Sequence, residues 1–68
     1  LNRVKGYRTM LGITQEEMAS IIGVSINTYR KMEDNPDTFK IEHANKFLQE
    51  VNKVDSSVKM DDIFKNLV

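Results

Sequence analysis

Cysteine is absent from the 68-residue chain, and histidine occurs once, at His43. The first absence rules out disulfides and cysteine-ligated zinc, and a single imidazole rules out a histidine metal cluster. No metal or other cofactor is expected. No apolar run approaches the roughly 18 residues that span a bilayer. The opening Leu1-Asn2-Arg3-Val4-Lys5 does not read as a signal peptide, because no apolar stretch follows the charges. It starts on leucine rather than methionine, which leaves room for upstream residues. Cysteine-free composition fits a reducing compartment, so the expected location is the cytoplasm.

Catalytic groupings are also missing. His43 has no partner set, no serine has plausible histidine and aspartate companions, and no glycine-rich loop precedes a helix in phosphate-cradling form. Asp61 and Asp62 are neighbours at a helix start, where the macrodipole favours acids, so they do not form a working carboxylate pair. The expectation is therefore a protein that is not an enzyme and takes no small-molecule substrate. A chain this short buries only roughly 60% of its unfolded surface, so its stability must come from helix packing, with dimerisation as the available supplement.

Ten basic and ten acidic residues cancel, but unevenly. Residues 1–31 hold Arg3, Lys5, Arg8, Arg30 and Lys31 against Glu16 and Glu17, a net charge of +3. Residues 32–68 hold five lysines against eight acids, a net charge of −3. The neutral total hides a basic half and an acidic half.

No segment alternates with period two, so no sheet is expected, and there are no repeats. Punctuation divides the chain into five short helices. Val4, Tyr7, Arg8 and Leu11 follow a helical stripe that Gly12 ends. Thr14 and Glu17 form a capping box for a second helix, with Met18, Ala19 and Ile22 on its apolar side and Ile21 beside them. Gly23 suits a positive-φ stop, and Ser25 caps a third helix from Ile26 to about Glu33. Asp34-Asn35-Pro36-Asp37 reads as a loop. A fourth helix follows Phe39, with Ile41, Ala44, Phe47 or Leu48, and Val51 inward. After an Asp55-Ser56-Ser57 linker comes a last short helix whose apolar side is Ile63, Phe64 and Leu67.

The informative stretch is 14–33. Small Ala19 lets two helix axes approach, Gly23 turns the chain, Val24 plugs the turn into the core, and Tyr29 and Met32 face inward. This is a helix-turn-helix pattern, whose second helix lies in the DNA major groove. Several pieces carry a wider likeness: Tyr7-Arg8, Leu11 to Ala19, Ile22-Gly23-Val24-Ser25, Tyr29-Arg30-Lys31-Met32-Glu33 and Met60-Asp61-Asp62-Ile63-Phe64. In their order and spacing, over residues 3 to 65, they resemble the Cro/repressor (Xre-type) regulators, most of all short phage-encoded regulators of Gram-positive hosts. The resemblance implies one all-α domain over 1–68, a compact five-helix orthogonal bundle of the lambda-repressor-like type. Its partners would be double-stranded operator DNA and a second copy of the chain.

Helical geometry at about 100° per residue turns Tyr29 and Met32 one way and Ile26, Asn27, Arg30 and Lys31 the other. Asn27 can pair with adenine, Arg30 or Lys31 can donate to guanine, and Ile26 can meet a thymine methyl. The resemblance implies that Gln15, at the start of the second helix, meets a DNA phosphate. Thr14, Ser25, Thr28 and Asn35 are further phosphate candidates, with Thr28 placed beside the buried face. Arg3 and Lys5 are expected as free, screenable attractors. The resemblance also implies that Arg8 pairs with Glu33, tying the first helix to the end of the third.

One departure stands out. Family members often carry basic residues after the third helix, where this chain has two aspartates. That motivates a rival expectation: a protein-interaction module, such as an antitoxin or repressor modulator, that docks through Phe47, Val51, Phe64 and Leu67.

Overall fold

Most of the helix ends coincide with a residue whose chemistry explains them. The computed structural model describes residues 2–64. In chain order these form α1 (Arg3–Leu11), α2 (Gln15–Ile22), α3 (Ile26–Asp34), a 3₁₀ turn (Pro36–Thr38), α4 (Ile41–Asn52) and α5 (Met60–Ile63). No strand occurs among the described residues. Asn2 Oδ1 accepts from the Lys5 amide at 3.0 Å and starts α1. Thr14 and Glu17 close the capping box from both sides, at 3.1 and 2.9 Å. Ser25 Oγ accepts from the Thr28 amide at 3.2 Å and starts α3. Asp62 Oδ2 accepts from the Lys59 amide at 2.7 Å at the head of α5. Gly12 and Gly23 end α1 and α2 with φ of 72° and 85°, where a side chain would be strained.

The core draws on every helix: Val4 from α1, Met18, Ala19 and Ile22 from α2, Tyr29 and Met32 from α3, Ala44, Phe47 and Val51 from α4, and Ile63 from α5. Phe39 lies at its centre. Its ring is 6.4 Å from Tyr29, 6.0 Å from Phe47 and 4.7 Å from Phe64, and Phe47 and Phe64 are 5.7 Å apart. Such edge-on and tilted pairs add about 0.5–1.5 kcal/mol each beyond the area they bury.

Several expectations change. Ile41, expected inward, is 53% exposed because it occupies the first helical turn on the solvent side. The 34–37 segment is more regular than a loop: Asp34 completes α3, and Pro36 opens the 3₁₀ turn, where its missing N–H costs nothing. The 55–57 linker is an ordered turn, in which Asp55 Oδ1 accepts from the Ser57 amide and hydroxyl. Asn52 Nδ2 bridges the Asp55 and Val58 carbonyls and pins the same connection, so Val58 is buried. The docking face expected for the rival is not on the surface. Phe47, Val51 and Phe64 are core residues at 2% exposure or less. Leu67 lies outside the described residues.

Candidate nucleic-acid interface

The turn between α2 and α3 is built on one carbonyl. The amides of Gly23 and Val24 both donate to Ala19 O, at 2.9 and 3.0 Å. Ala19 is buried and its methyl leaves room for α3. Val24 packs on the core, and Ser25 then resets the backbone so that α3 can begin.

On α3, Tyr29, Met32 and Glu33 are buried, while Asn27, Thr28, Arg30 and Lys31 are exposed. Asn27, Arg30 and Lys31 stand three and four residues apart, so they share one side of the helix. None of these three side chains has a hydrogen bond or ion pair to another described residue. They form a polar stripe of amide, guanidinium and ammonium groups on a helix whose other side is locked in the core. Asp34 continues the stripe one turn on and ends it with a negative charge. Ile26 differs from its expected setting. It is half-buried, so the protein already covers part of the apolar surface that was assigned to a thymine methyl.

Beneath that stripe lies a charged network. Arg8 donates from Nε to Glu33 Oε2 at 2.7 Å and from Nη2 to Glu33 Oε1 at 3.1 Å. Its Nη1 donates to the Ile13 carbonyl at 2.9 Å, fixing the α1–α2 turn. Tyr29 Oη donates to Glu33 Oε2 at 2.6 Å, and Gln15 Nε2 donates to Glu33 Oε1 at 3.1 Å. Asn2 Nδ2 donates to the Glu33 carbonyl at 2.6 Å. Glu33 is 2% exposed, and its two carboxylate oxygens accept four hydrogen bonds from three helices. Burial pushes its carboxyl pKa up, but the bonds from Arg8, Tyr29 and Gln15 outweigh this and hold it below the ordinary value. The Arg8 guanidinium is raised, first by its hydrogen bond to Glu33. Burial and then the carboxylate of Glu33 push the Tyr29 phenol up.

The remaining candidates fall into two groups. Lys5 and Asn35 are exposed. The hydroxyls of Ser25 and Thr28 are also exposed and pair with each other at 2.9 Å, so Thr28 does not pack against the interior. Arg3 is not the free cation expected. It is half-buried and donates from Nη1 to the Asp62 carbonyl at 3.2 Å. The Thr14 hydroxyl is occupied by its cap, and Gln15 by Glu33. Sequence reasoning missed Tyr29 and Asn2 as partners of Glu33. The i, i+4 spacing of Tyr29 and Glu33 was the available signal, since an inward tyrosine needs somewhere to place its hydroxyl.

An open groove of about 360 Å³ lies between α1 and α5, lined by Asn2, Arg3, Gly6, Tyr7, Met10 and Asp62. No residue of the α3 stripe lines it. Among the described residues no group of three or more histidines, cysteines or carboxylates is placed to hold a metal ion. No helix among them is long and apolar enough to cross a membrane.

A sequence profile of the helix-turn-helix family matches residues 4–55, from the first turn of α1 to just past the end of α4. The chain belongs to that family. Helix-turn-helix proteins of this kind are DNA-binding regulators, and the match contains both helices of the motif together with Arg8 and Glu33. No curated protein and no solved structure matches this helix-turn-helix chain.

Proposed function

We propose that this helix-turn-helix protein is a sequence-specific regulator of transcription that lays α3 in the major groove of double-stranded DNA. The observation that carries this reading is the exposed, unpartnered stripe of Asn27, Arg30 and Lys31 on a helix anchored from behind by Glu33, Tyr29 and Met32. An asparagine amide matches the adenine edge, and guanidinium or ammonium donors match guanine. Lys5, Asn35, Ser25, Thr28, Thr14 and Gln15 are assigned to the DNA backbone, with half-buried Arg3 a secondary attractor and Ile26 a partial apolar contact. Arg8 and Glu33 hold the geometry.

The protein acts as a repressor or Cro-like regulator of phage type, as one domain, in the host cytoplasm. Two copies read two half-sites about one helical turn apart. Asp34, at the end of the stripe, and Asp37 keep single-site affinity modest, which favours the paired arrangement. Selection of sites from random duplex DNA tests the proposal. A recovered two-fold motif, with affinity that falls as salt rises, supports it. Failure to enrich any sequence, with no duplex binding at low salt, refutes it.

A further inference from the structure

Glu33 is placed to do more than hold the fold. Each of its carboxylate oxygens already accepts two hydrogen bonds, and the residue is 2% exposed, so it is a fixed anchor. Three of its four donors come from α1 and from α3 itself; the fourth is Gln15, the first residue of α2. The Gln15 amide nitrogen has two hydrogens, and Glu33 takes one of them. The two N–H bonds diverge, so the second points away from the carboxylate.

The neighbouring backbone offers donors of the same kind. Thr14 caps the Glu17 amide, which leaves the first-turn amides of Gln15 and Glu16 without an intrahelical acceptor. A helix start with free amides attracts anions. Arg8 offsets the charge of Glu33, so the anchor does not itself repel a phosphate.

Resting on the DNA-binding reading above, we propose that Glu33 is a positioning residue for DNA-backbone binding, gripping the Gln15 amide by one N–H so that the other is presented to a phosphate beside the free amides of α2. A glutamine left in solvent would lose rotamer freedom on meeting the phosphate. Here that freedom is already lost on folding, so the contact costs less when DNA arrives. Acceptance by the carboxylate also sets which end of the amide faces inward. Only the nitrogen end can face Glu33.

A double-mutant cycle on duplex affinity tests this, using wild type, Gln15→Ala, Glu33→Gln and the double variant, at a temperature where circular dichroism shows each one folded. Gln15→Ala is expected to weaken binding about fivefold, the loss of one hydrogen bond to a charged group. Glu33→Gln should weaken it by a similar factor, and the double variant no further than Gln15→Ala alone. Losses that multiply would give Glu33 a role independent of Gln15 and overturn the inference while leaving DNA binding intact. Should Glu33→Gln not fold, the wild-type side-chain amide of Gln15 can be followed by NMR. One slowly exchanging hydrogen before DNA is added, and a shift of the other on binding, is the expected result. Two freely averaged, fast-exchanging hydrogens would overturn it. A wild-type chain that binds no duplex at low salt would remove the functional reading and this inference with it.

Discussion

The Arg8 guanidinium meets the Glu33 carboxylate side-on, with Nε and Nη2 each paired to a different oxygen, at 2.7 and 3.1 Å. This fork is nearly buried, at 13% and 2% side-chain exposure. A bidentate pair of this kind is directional, and here it spans 25 residues of sequence to couple α1 to the end of α3.

Removing one partner leaves the other charge inside without compensation, which costs about 3–5 kcal/mol. A chain of this length has about 3–10 kcal/mol of total stability at ordinary values per residue. Arg8→Ala is therefore expected to lose a large share of the chain's stability, with Glu33→Gln less affected because it keeps an acceptor for Tyr29. Urea titration followed by far-ultraviolet dichroism reads both. An Arg8→Ala midpoint equal to wild type would mean that the fork contributes nothing to the fold.

The same carboxylate sets the acid limit. Its pKa in the folded chain is held below the ordinary 4.5. The unfolded state thus takes up a proton first as pH falls, and the stabilisation present above about pH 4.5 is lost toward the lower folded value. Tyr29 behaves in the opposite sense. Its phenol is raised, so its contribution is full below the usual value of 10.0 and declines as pH climbs past it. Urea midpoints across pH should fall at both ends. Glu33→Gln should flatten the acid limb and Tyr29→Phe the alkaline one. Unaltered limbs in those variants would contradict the assignment.

Asn27 is the cleanest test of base reading, since its side chain is exposed and makes no bond within the described residues. Asn27→Ala should reduce discrimination at one base position by about 1–3 kcal/mol and leave the melting temperature unchanged. Lys5→Ala should weaken specific and random duplexes alike and lower the salt slope by about 1. A uniform loss for Asn27→Ala across all sequences would remove its assigned role.

Gly23 holds the motif turn at φ 85°. A methyl group placed on its Cα would meet the Lys46 ammonium at 3.9 Å, an ordinary contact with the end of a flexible side chain. The penalty for Gly23→Ala is therefore conformational, about 1–2 kcal/mol. Since each kcal/mol moves the midpoint of a domain this size by about 4–8 °C, a thermal melt resolves it. No change would imply that the turn relaxes out of the left-handed region.

The helices were legible because their ends are written locally, in Thr14 with Glu17, in Ser25, and in the two glycines at positions 12 and 23. The outward set of Asn27, Arg30 and Lys31 follows from helical period alone. What stayed hidden depends on partners distant in sequence. Ile41 has the right spacing for the core and still faces water, because α4 packs from Ala44 onward. Arg3 looks free until Asp62 is brought to it, 59 residues later. Gln15 could be assigned to the helix start, but its grip on Glu33 required the angle between α2 and α3.

The segment matched by the family profile stops at residue 55, whereas Val58, Ile63 and Phe64 beyond it are buried, and the Phe64 ring is tilted against Phe39 at 4.7 Å. A fragment trimmed to the matched region would retain nearly every group assigned to DNA yet strip a wall from the aromatic centre. Such a fragment should keep helical dichroism while losing fixed packing and taking up a hydrophobic dye. Rigidity at α3 thus draws on residues from the opposite end of the chain, and the smallest unit able to hold its shape is longer than the one that the family profile delimits.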